Sequence, residues 1–477
     1  MAWLIIWITL YLVLIIFFTL RHVNAIDAET YLVNNRSTRT LPLVFTTLAT
    51  FVGGGTSIGL MAMGYESGFA AVGIGVAYVI GFFILSRFAG KINQLGFSYS
   101  IYSLPGFLNL SYTEEGDRRH ARYFSAVVSG VNIFIFFFLL AAQFVGMASL
   151  LKYSFDLGYQ PAAIISCLIV IFYTALAGLS GVIITDMIQF VIIILMIVLI
   201  FIPGIIADTD GLSRLAELPE SMLRGTQYGW SFLIGLLLFL SPSVMVRMDI
   251  WQRILAAKDA KTARRTSIIS GLGMLPFYII FPLVGMAVRL YSQDEILSKD
   301  VAYLFLNRHS NEFILGFAVV GLLAALMSSG DSFLNIISIS AIKDFTGWKK
   351  REKTVLNKKA HISIRLATIV FGIIALFIAL AFPKIVDLMV VGIGTIVIFV
   401  PVTLLALSKP EVHRYKKTAL ASIITGFIIN LAFFVTGIIN PEIFEPKSSF
   451  IPAFIVAAIV LLAGVYITTH KKNPADA

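Results

Sequence analysis

Residues 49–59, ATFVGGGTSIG, interrupt an apolar segment near its middle, and the rest of the chain is organised around this interruption. Three consecutive glycines, Gly53 to Gly55, have poor helix propensity, and hydroxyl side chains flank them. A helix that breaks inside a bilayer leaves amides and carbonyls that lipid cannot satisfy, so the break has to line a cavity or meet a ligand. The stretch therefore indicates a binding site within a membrane span. The alternative is a glycine-rich face for helix packing.

The composition is that of a polytopic membrane protein. Hydrophobic residues make up 58% of the 477 residues and charged residues 13%, and the mean hydropathy is +0.91. A water-soluble globule has about half apolar and about a quarter charged residues, so that class is excluded. The net charge of +10 comes from basic loops between apolar spans, which favours a membrane topology over a nucleic-acid partner. Cys167 is the sole cysteine, which excludes an intramolecular disulfide and a cysteine metal cluster.

Stretches of about 20 apolar residues predict thirteen transmembrane helices. The first, 3–20, has no basic residue ahead of it and Arg21 behind it, which is the reverse of a secretory signal, so we expect a retained helix with its N-terminus outside. The other predicted spans are 43–67, 69–90, 122–151, 161–178, 182–203, 229–250, 268–290, 313–342, 363–382, 387–407, 418–438 and 450–469.

The distribution of basic residues supports this topology. With an outside N-terminus alternate loops are cytoplasmic, and 28 of the 36 Lys and Arg residues lie on those loops and helix ends. This bias also places the C-terminus in the cytoplasm. The loops between the spans are short, so we expect no cytoplasmic effector domain among them. The sequence thus predicts a multi-pass protein of the plasma membrane, the inner membrane of the cell.

A second interruption lies five spans after the first. Ser241, Pro242 and Ser243 stand at the centre of span 229–250, where we expect another break. Polar-interrupted helices at corresponding places in two five-helix sets are typical of inverted-repeat transporters, because an odd number of spans reverses the second set. An ordinary proline kink is the alternative. The single transmembrane domain, 1–477, then divides into a leading helix, two repeats and two trailing helices, at 3–20, 43–203, 229–407 and 418–469.

One face of span 313–342 is too polar for contact with lipid. Ala325, Ser328, Ser329 and Ser332 follow an i, i+3, i+4, i+7 spacing and share that face. Hydroxyl oxygens, together with free carbonyls of a broken helix, form a hard-oxygen site of low charge, which suits an alkali cation better than a divalent ion. The alternative is that the serines bond to carbonyls of their own helix or mediate helix packing.

Four charged residues in or near the spans are further candidates. Asp186, in ITDMIQF, is the carboxylate best placed inside a span, and Asp331 is a second. An ionisable residue at that depth is a functional hypothesis with a cation as its natural partner. The alternative for Asp331 is a polar group turned toward the cytoplasmic mouth. Arg247 and Asp249 lie near an inner helix end, where they snorkel, pair with each other or contact a solute.

Catalytic constellations are absent from the sequence. It contains no nucleophile–base pair, metal-spaced histidine cluster or phosphate-binding glycine loop, and its six histidines lie in loops or at span ends. We therefore expect a protein that is not an enzyme.

Four motifs resemble those of the sodium:solute symporters, which include the bacterial proline and sodium/galactose transporters and the animal sodium/glucose cotransporters. They are ATFVGGGTSIG at 49–59, YTALAGLSGVIITDMIQ at 173–189, WQRILAAKDAKTA at 251–263, and AALMSSGDSFLN followed by SISAIKDF at 324–345. The motifs run through most of the two repeats in the order of the family. The resemblance implies an all-α, LeuT-like five-plus-five inverted-repeat fold.

The resemblance also implies a principal Na⁺ site. By position, that site would use backbone oxygens of Ala49 and Val52 on the broken helix, with the Ala325 carbonyl and the Ser328 and Ser329 hydroxyls.

A second sodium site is implied by the motif TD-x-x-Q. Asp186 matches the aspartate of that motif, which some members of the family use for a second ion, and Ser332 would complete the site beside the serine pair. Asp331 stands where sugar-transporting members have an uncharged residue, so the number of ions stays open. The solute would lie beside the break, lined by Gly54, Gly55, Thr56, Gln143 and Ser243.

The implied activity is sodium-coupled symport of a small organic solute into the cell by alternating access. The polar side chains of the sugar transporters are replaced by glycines at Gly54 and Gly55, and span 122–151 has no central arginine like that of the sialic acid transporters. Bare amides favour an amino-acid-like or small carboxylate solute over a sugar. We expect Na⁺ and the bilayer as partners, with no nucleic acid and no obligate protein partner. The alternatives are proton coupling through Asp186 or Asp331, and a membrane sensor that binds solute without moving it.

Overall fold

The protein is almost entirely helical. A computed structural model describes residues 2–21, 28–114, 116–292, 296–297, 300–345, 358–444 and 448–470. Its first ten α-helices are α1 Ala2–Arg21, α2 Ala28–Val33, α3 Thr40–Phe51, α4 Leu60–Ser67, α5 Ala70–Tyr99, α6 Leu104–Tyr112, α7 Arg118–Phe155, α8 Tyr159–Met196, α9 Ile202–Asp208 and α10 Glu220–Leu223. The others are α11 Gly229–Gly235, α12 Ser241–Ser243, α13 Met248–Ala256, α14 Ala260–Tyr291, α15 Val301–His309, α16 Glu312–Ile339, α17 Lys358–Ala381, α18 Ile385–Ile396, α19 Val400–Ser408, α20 Lys416–Ile439 and α21 Phe450–His470. In the described residues the β-structure is a single isolated bridge, between Thr38 and Ala257.

The helices account for the predicted membrane spans. Among the described residues, 12 helices are long and apolar enough to cross a bilayer, and the bent pair of α3 and α4 brings the number to 13. Most span ends lie within a few residues of their predicted positions. The largest extensions are on the side predicted to be cytoplasmic, where α5 continues to Tyr99 and α14 begins at Ala260. The predicted spans 161–178 and 182–203 correspond to Tyr159–Leu176 and Leu179–Asp208, which follow each other along α8 and α9.

The first predicted break is confirmed. Thr40–Phe51 and Gly55–Ser67 are bent by 61° about the glycine run. Each glycine is about 1 kcal/mol less favourable than alanine inside a helix, so three in a row make this the weakest point of the span. Beyond the bend, Gly55–Gly59 forms a π-turn that leads into α4.

The predicted break at Ser241–Ser243 is wrong. These residues form the helical turn α12, which continues from α11 through a π-turn at Leu236–Leu240. Pro242 removes one amide donor, and the wider π-turn before it takes up the distortion without breaking the span. The chain leaves the helical conformation at Arg247, with φ −74° and ψ 119°. The second interruption therefore lies between the span Gly229–Val246 and the short helix α13, all nine residues of which are buried.

The centre of the molecule is α16. In its apolar part 78% of the residues are buried, against 22% in α1 and 17% in α21. It packs against α3, α7, α8 and α17 and is covered on one side by α1, whereas α20 and α21 pair with each other at the periphery. α14 packs along α4 and α5, and the contact with α4 is so close that a Cβ on Gly64 would lie 2.1 Å from the Pro282 carbonyl oxygen. The packing thus places the break after α3 directly beside the polar face of α16.

Candidate functional site

The broken helix leaves backbone carbonyls available at its bend. α3 ends at Phe51, and the Val52 amide still donates to the Leu48 carbonyl at 3.0 Å. Further along, the carbonyl of Gly53 accepts from the amides of the next turn. The carbonyls of Ala49 and Val52, which the family resemblance assigns to sodium, are not among the hydrogen-bond acceptors of the described bend. Two strong acceptors are therefore left for another partner.

The helix α16 crosses the broken helix at this point. The Ser329 hydroxyl donates to the Thr50 carbonyl at 2.7 Å and lies 3.4 Å from the Ala325 carbonyl of its own helix. A Cβ on Gly53 would lie only 2.2 Å from Ser329 Oγ, so this approach requires glycine. Ala325, Ser328 and Ser329 are fully buried. The crossing thus brings neutral carbonyl and hydroxyl oxygens together, which is the donor set of an alkali cation.

Asp186 lies beside this crossing in a buried polar cluster. Its carboxylate accepts hydrogen bonds from the Ser328 hydroxyl, at 2.5 Å, and from the Thr46 hydroxyl. The guanidinium of Arg253, from α13, is the counter-charge, and both side chains are at most 2% exposed. Its Nη2 atom lies within 3.3 Å of four oxygens, those of Thr50, Ser332, Thr46 and Asp186. The guanidinium therefore lies between Asp186 and Ser332, the two residues predicted to hold a second sodium ion.

The sequence interpretation missed three members of this cluster, Thr46, Thr50 and Arg253. The motif WQRILAAKDAKTA contains Arg253, but the charge pattern alone assigns this arginine to a cytoplasmic helix end. Trp251, Ile254 and Leu255 surround it in sequence, and all are buried, which marks α13 as a core helix rather than a surface one.

The predicted solute residues are only partly brought together. The Gly54 amide donates to the Gln143 side-chain oxygen at 2.8 Å, and Gln143 is fully buried. A Cβ on Gly55 would lie 2.9 Å from the terminal methyl of Met389, so this glycine faces α18. The Thr56 hydroxyl lies 3.1 Å from that of Tyr278 on α14. Ser243 donates to the Leu240 carbonyl of its own helical region at 2.6 Å and not to these groups.

Comparison with known proteins identifies the family. A family model described as the sodium:solute symporter family matches residues 31–426. The chain belongs to the sodium:solute symporter family.

Relatives of this symporter are transporters. This chain is 26% identical over 448 residues to sodium/proline symporter 2 of Staphylococcus saprophyticus, and the match covers 87% of this chain and 82% of that symporter. It is 22% identical over 360 residues to the sodium/pantothenate symporter of Haemophilus influenzae, covering 73% and 72%. A solved structure of a Na⁺-coupled sialic acid symporter, in a substrate-bound outward-open state, matches with a TM-score of 0.79 at 19% identity, covering 98% of this chain and 97% of the other.

These comparisons confirm the predicted family and the LeuT-like five-plus-five fold with one leading and two trailing helices. The chain is a sodium-coupled symporter of a small solute, a multi-pass membrane protein, and not an enzyme. Sodium is the coupling ion of the family. The repeat boundaries and the residues that bind ion and solute stay predictions.

In the symporter, Arg247 and Asp249 pair with each other inside the protein. Arg247 Nη2 lies 2.6 Å from the Asp249 carboxylate, and both side chains are at most 4% exposed. The guanidinium also lies over the ring of Phe51, 4.0 Å from its centroid, at the end of α3. Of the alternatives predicted for these residues, the structure therefore supports an ion pair inside the protein and not a side chain that snorkels to the membrane surface. The pair joins the interruption after α12 to the break after α3.

Asp331 faces the core. It is fully buried, and neither carboxylate oxygen has a hydrogen-bond partner among the described residues. Near it, Tyr173 donates to the Met327 carbonyl at 3.0 Å, and Gln189 donates to the Tyr11 hydroxyl of the leading helix at 2.9 Å. The alternative of an aspartate exposed to the cytoplasmic mouth does not match this environment.

Proposed function

We propose that the symporter couples the entry of one Na⁺ per cycle to the uptake of a small carboxylate-bearing solute. The ion would bind where the broken helix crosses α16, held by oxygens of Ala49, Val52, Ala325, Ser328 and Ser329. The observation that carries this proposal is the contact of Ser329 with the Thr50 carbonyl at Gly53, because it brings the free carbonyls of the bend to the hydroxyls of α16.

The buried guanidinium of Arg253 is the reason to propose one ion rather than two. Asp186 already has a unit positive charge beside it, together with the hydroxyls that would otherwise bind sodium. A second cation about 4 Å from the guanidinium would be repelled by roughly 4 kcal/mol at an effective dielectric constant of 20. Asp186 and Arg253 would then form a fixed ion pair, with Ser332 accepting a hydrogen bond from the guanidinium, and this pair would orient Ser328 toward the single sodium ion.

The bare amides at the break support a carboxylate-bearing solute. The half-helix that starts at Gly55 has its N-terminus at the break, and although its Thr56 and Ser57 amides donate to the Gly53 carbonyl, such ends favour negative charge. The Gln143 side-chain oxygen now accepts from the Gly54 amide, which shows that this amide is accessible to an acceptor from outside its own helix. The proline and pantothenate named for the two relatives both carry a carboxylate. A solute carboxylate would replace the Gln143 oxygen as the acceptor of the Gly54 amide. The side-chain amide of Gln143 would then be free to donate to the solute.

Coupling would follow from the position of the ion between two helices. Sodium bound to both α3 and α16 favours the conformation in which these two helices are in contact. The ion shifts the equilibrium only because it binds this conformation more tightly than the others. Each charge moved inward gains roughly 2.3 kcal/mol per 100 mV, before any concentration gradient. Because coupling is reciprocal, sodium tightens solute binding by the same factor by which solute tightens sodium binding.

The decisive experiment is thermal unfolding of the detergent-purified protein with a panel of solutes, each in NaCl and in choline chloride. A ligand of the folded state raises stability by mass action. We expect a stabilising solute with a carboxylate, no stabilisation by its neutral amide analogue, and an effect that requires Na⁺. A sodium titration of the same shift should have a Hill coefficient of about 1.

Three results would contradict the proposal. Equal rises in melting temperature for a carboxylate solute and its neutral amide analogue would contradict the assignment of a carboxylate-bearing solute. A Hill coefficient near 2 would show that Arg253 does not replace the second ion. A solute shift that ignores Na⁺ and follows pH would indicate proton coupling.

A further inference from the structure

A basic cavity opens at the cytoplasmic ends of α3 and α14. Its volume is about 480 Å³, and four cationic residues line it, namely Arg39, Lys258, Lys261 and Arg265. It lies outside the ion and solute site, on the face where the charge bias places the cytoplasm. The cavity therefore has a composition suited to an anion.

The cavity has more positive charge than its own acid can balance. Asp259 is the one carboxylate in its lining, and it caps α14 by accepting from the Thr262 amide at 2.6 Å, a bond that is the main cause of the lowered pKa of this carboxyl group. Lys258 Nζ lies 3.8 Å from Asp259. Among the described residues neither Lys261 nor Arg265 has an ion-pair partner within 4.0 Å.

Two helix N-termini meet at the same place. α3 begins at Thr40 and α14 at Ala260, and these helices are 12 and 32 residues long. The positive ends of both helix dipoles add to the side-chain charge. The bridge described above holds the two ends together, since the Thr38 amide donates to the Ala256 carbonyl and the Lys258 amide to the Thr38 carbonyl, both at 3.1 Å.

Apolar side chains continue from the cavity along the lipid-facing surface. Leu41, in the first turn of α3, is 60% exposed. On α14, Ile269 and Leu272 follow Arg265 at i+4 and i+7, so they share its face, and they are 46% and 50% exposed. A free phosphate would use only the basic part of this surface, whereas a phospholipid uses both parts.

We propose that the cavity binds an anionic phospholipid of the cytoplasmic leaflet. The phosphate lies among Lys258, Lys261 and Arg265 on one side and Arg39 on the other, and the acyl chains lie along Leu41 and the exposed face of α14. Basic pockets between helix ends on this side of a membrane are a known form of lipid-headgroup site. Because the headgroup touches both α3 and α14, it stabilises the contact that keeps their cytoplasmic ends together.

The test measures lipid binding to the full chain in neutral detergent, from the rise in melting temperature with added lipid. Phosphatidylglycerol, phosphatidylcholine and inorganic phosphate are titrated separately against the wild type and two double variants. K261Q/R265Q removes two cations from the cavity. R264Q/K417Q removes the same charge from exposed positions that do not line it. R39Q, on the α3 side, is an independent single variant.

We expect phosphatidylglycerol to stabilise the wild type and R264Q/K417Q at the same midpoint concentration, and phosphatidylcholine to have no comparable effect. From the usual contribution of a basic residue near an anionic headgroup, K261Q/R265Q should need about 30-fold more lipid and R39Q about 5-fold more. Equal midpoints for all proteins would overturn the site, because the effect would then be general surface charge. Stabilisation by inorganic phosphate at the same concentration would overturn the lipid and leave a soluble phosphate as the ligand.

Discussion

Replacing Gly53 with alanine would test the crossing of the broken helix and α16 directly. The added Cβ would lie 2.2 Å from Ser329 Oγ and 2.9 Å from Ser329 Cβ, where ordinary contacts begin at 3.4 Å. Rotation of the hydroxyl relieves only the first overlap, so the contact with Ser329 Cβ still requires the helices to separate by ~0.5 Å near the bend. That movement would lengthen the hydrogen bond from Ser329 to the Thr50 carbonyl and spread the proposed sodium ligands.

Overpacking of this kind costs about 1–3 kcal/mol. The cost falls on the arrangement in which α3 and α16 are joined, which is the arrangement that sodium stabilises in our proposal. The apparent sodium affinity should therefore fall about 5- to 150-fold. The assay is a titration of sodium-dependent thermal stabilisation, combined with solute uptake into proteoliposomes at a low and a saturating sodium concentration. Uptake by Gly53→Ala should recover in part at the high concentration.

Gly130→Ala is the matched control. Gly130 lies inside α7, and a Cβ built on it meets no atom within 4 Å, so this variant should keep the sodium affinity of the wild type. It should also be slightly more stable, because alanine favours a helix over glycine by about 0.5–1 kcal/mol. An unchanged sodium midpoint in Gly53→Ala would refute the placement of the ion at this crossing. An equal loss in both variants would show that the effect is one of glycine substitution in general.

Three further predictions concern charged groups. Asp186→Asn should destabilise the protein by about 3–5 kcal/mol, because it leaves the buried Arg253 unpaired. In thermal unfolding, the double variant Asp186→Asn/Arg253→Gln should recover part of this loss. A double variant no more stable than the single one would argue against the ion pair. Asp331→Asn should raise the melting temperature in the absence of sodium, because it removes a buried carboxylate without hydrogen-bond partners. The rise in melting temperature that sodium causes should persist in this variant. Loss of that sodium-dependent rise would make Asp331 an ion ligand. On the face predicted to be cytoplasmic, the Lys416 ammonium lowers the pKa of Glu114 from 4.5, so their interaction stabilises the folded state above pH 4.5 and is lost as the pH falls below that value. In thermal unfolding between pH 3 and 6, Lys416→Gln should be less sensitive to acid than the wild type, and identical profiles would contradict the assignment.

The sequence was sufficient for the features that depend on local composition. The length of each apolar stretch predicts the spans, because about 20 residues are needed to cross the hydrocarbon region. Three adjacent glycines predict the bend after α3, because no side-chain contact compensates for their poor helix propensity. The spacing of Ala325, Ser328 and Ser329 predicts one polar face, since the helical period is fixed.

Only the tertiary structure decided which groups meet across helices. The sequence predicts a break at Pro242, yet a π-turn keeps its span helical. The interruption lies at Arg247, beside a buried ion pair to Asp249 and a hydrogen bond from the Trp251 indole to the Met245 carbonyl. The sequence alone assigns Arg253 to the cytoplasmic charges. In the structure α13 is buried and Arg253 contacts Asp186, 67 positions away in the chain. Such pairings depend on how helices from distant parts of the chain approach each other, and neither hydropathy nor local propensity carries that information.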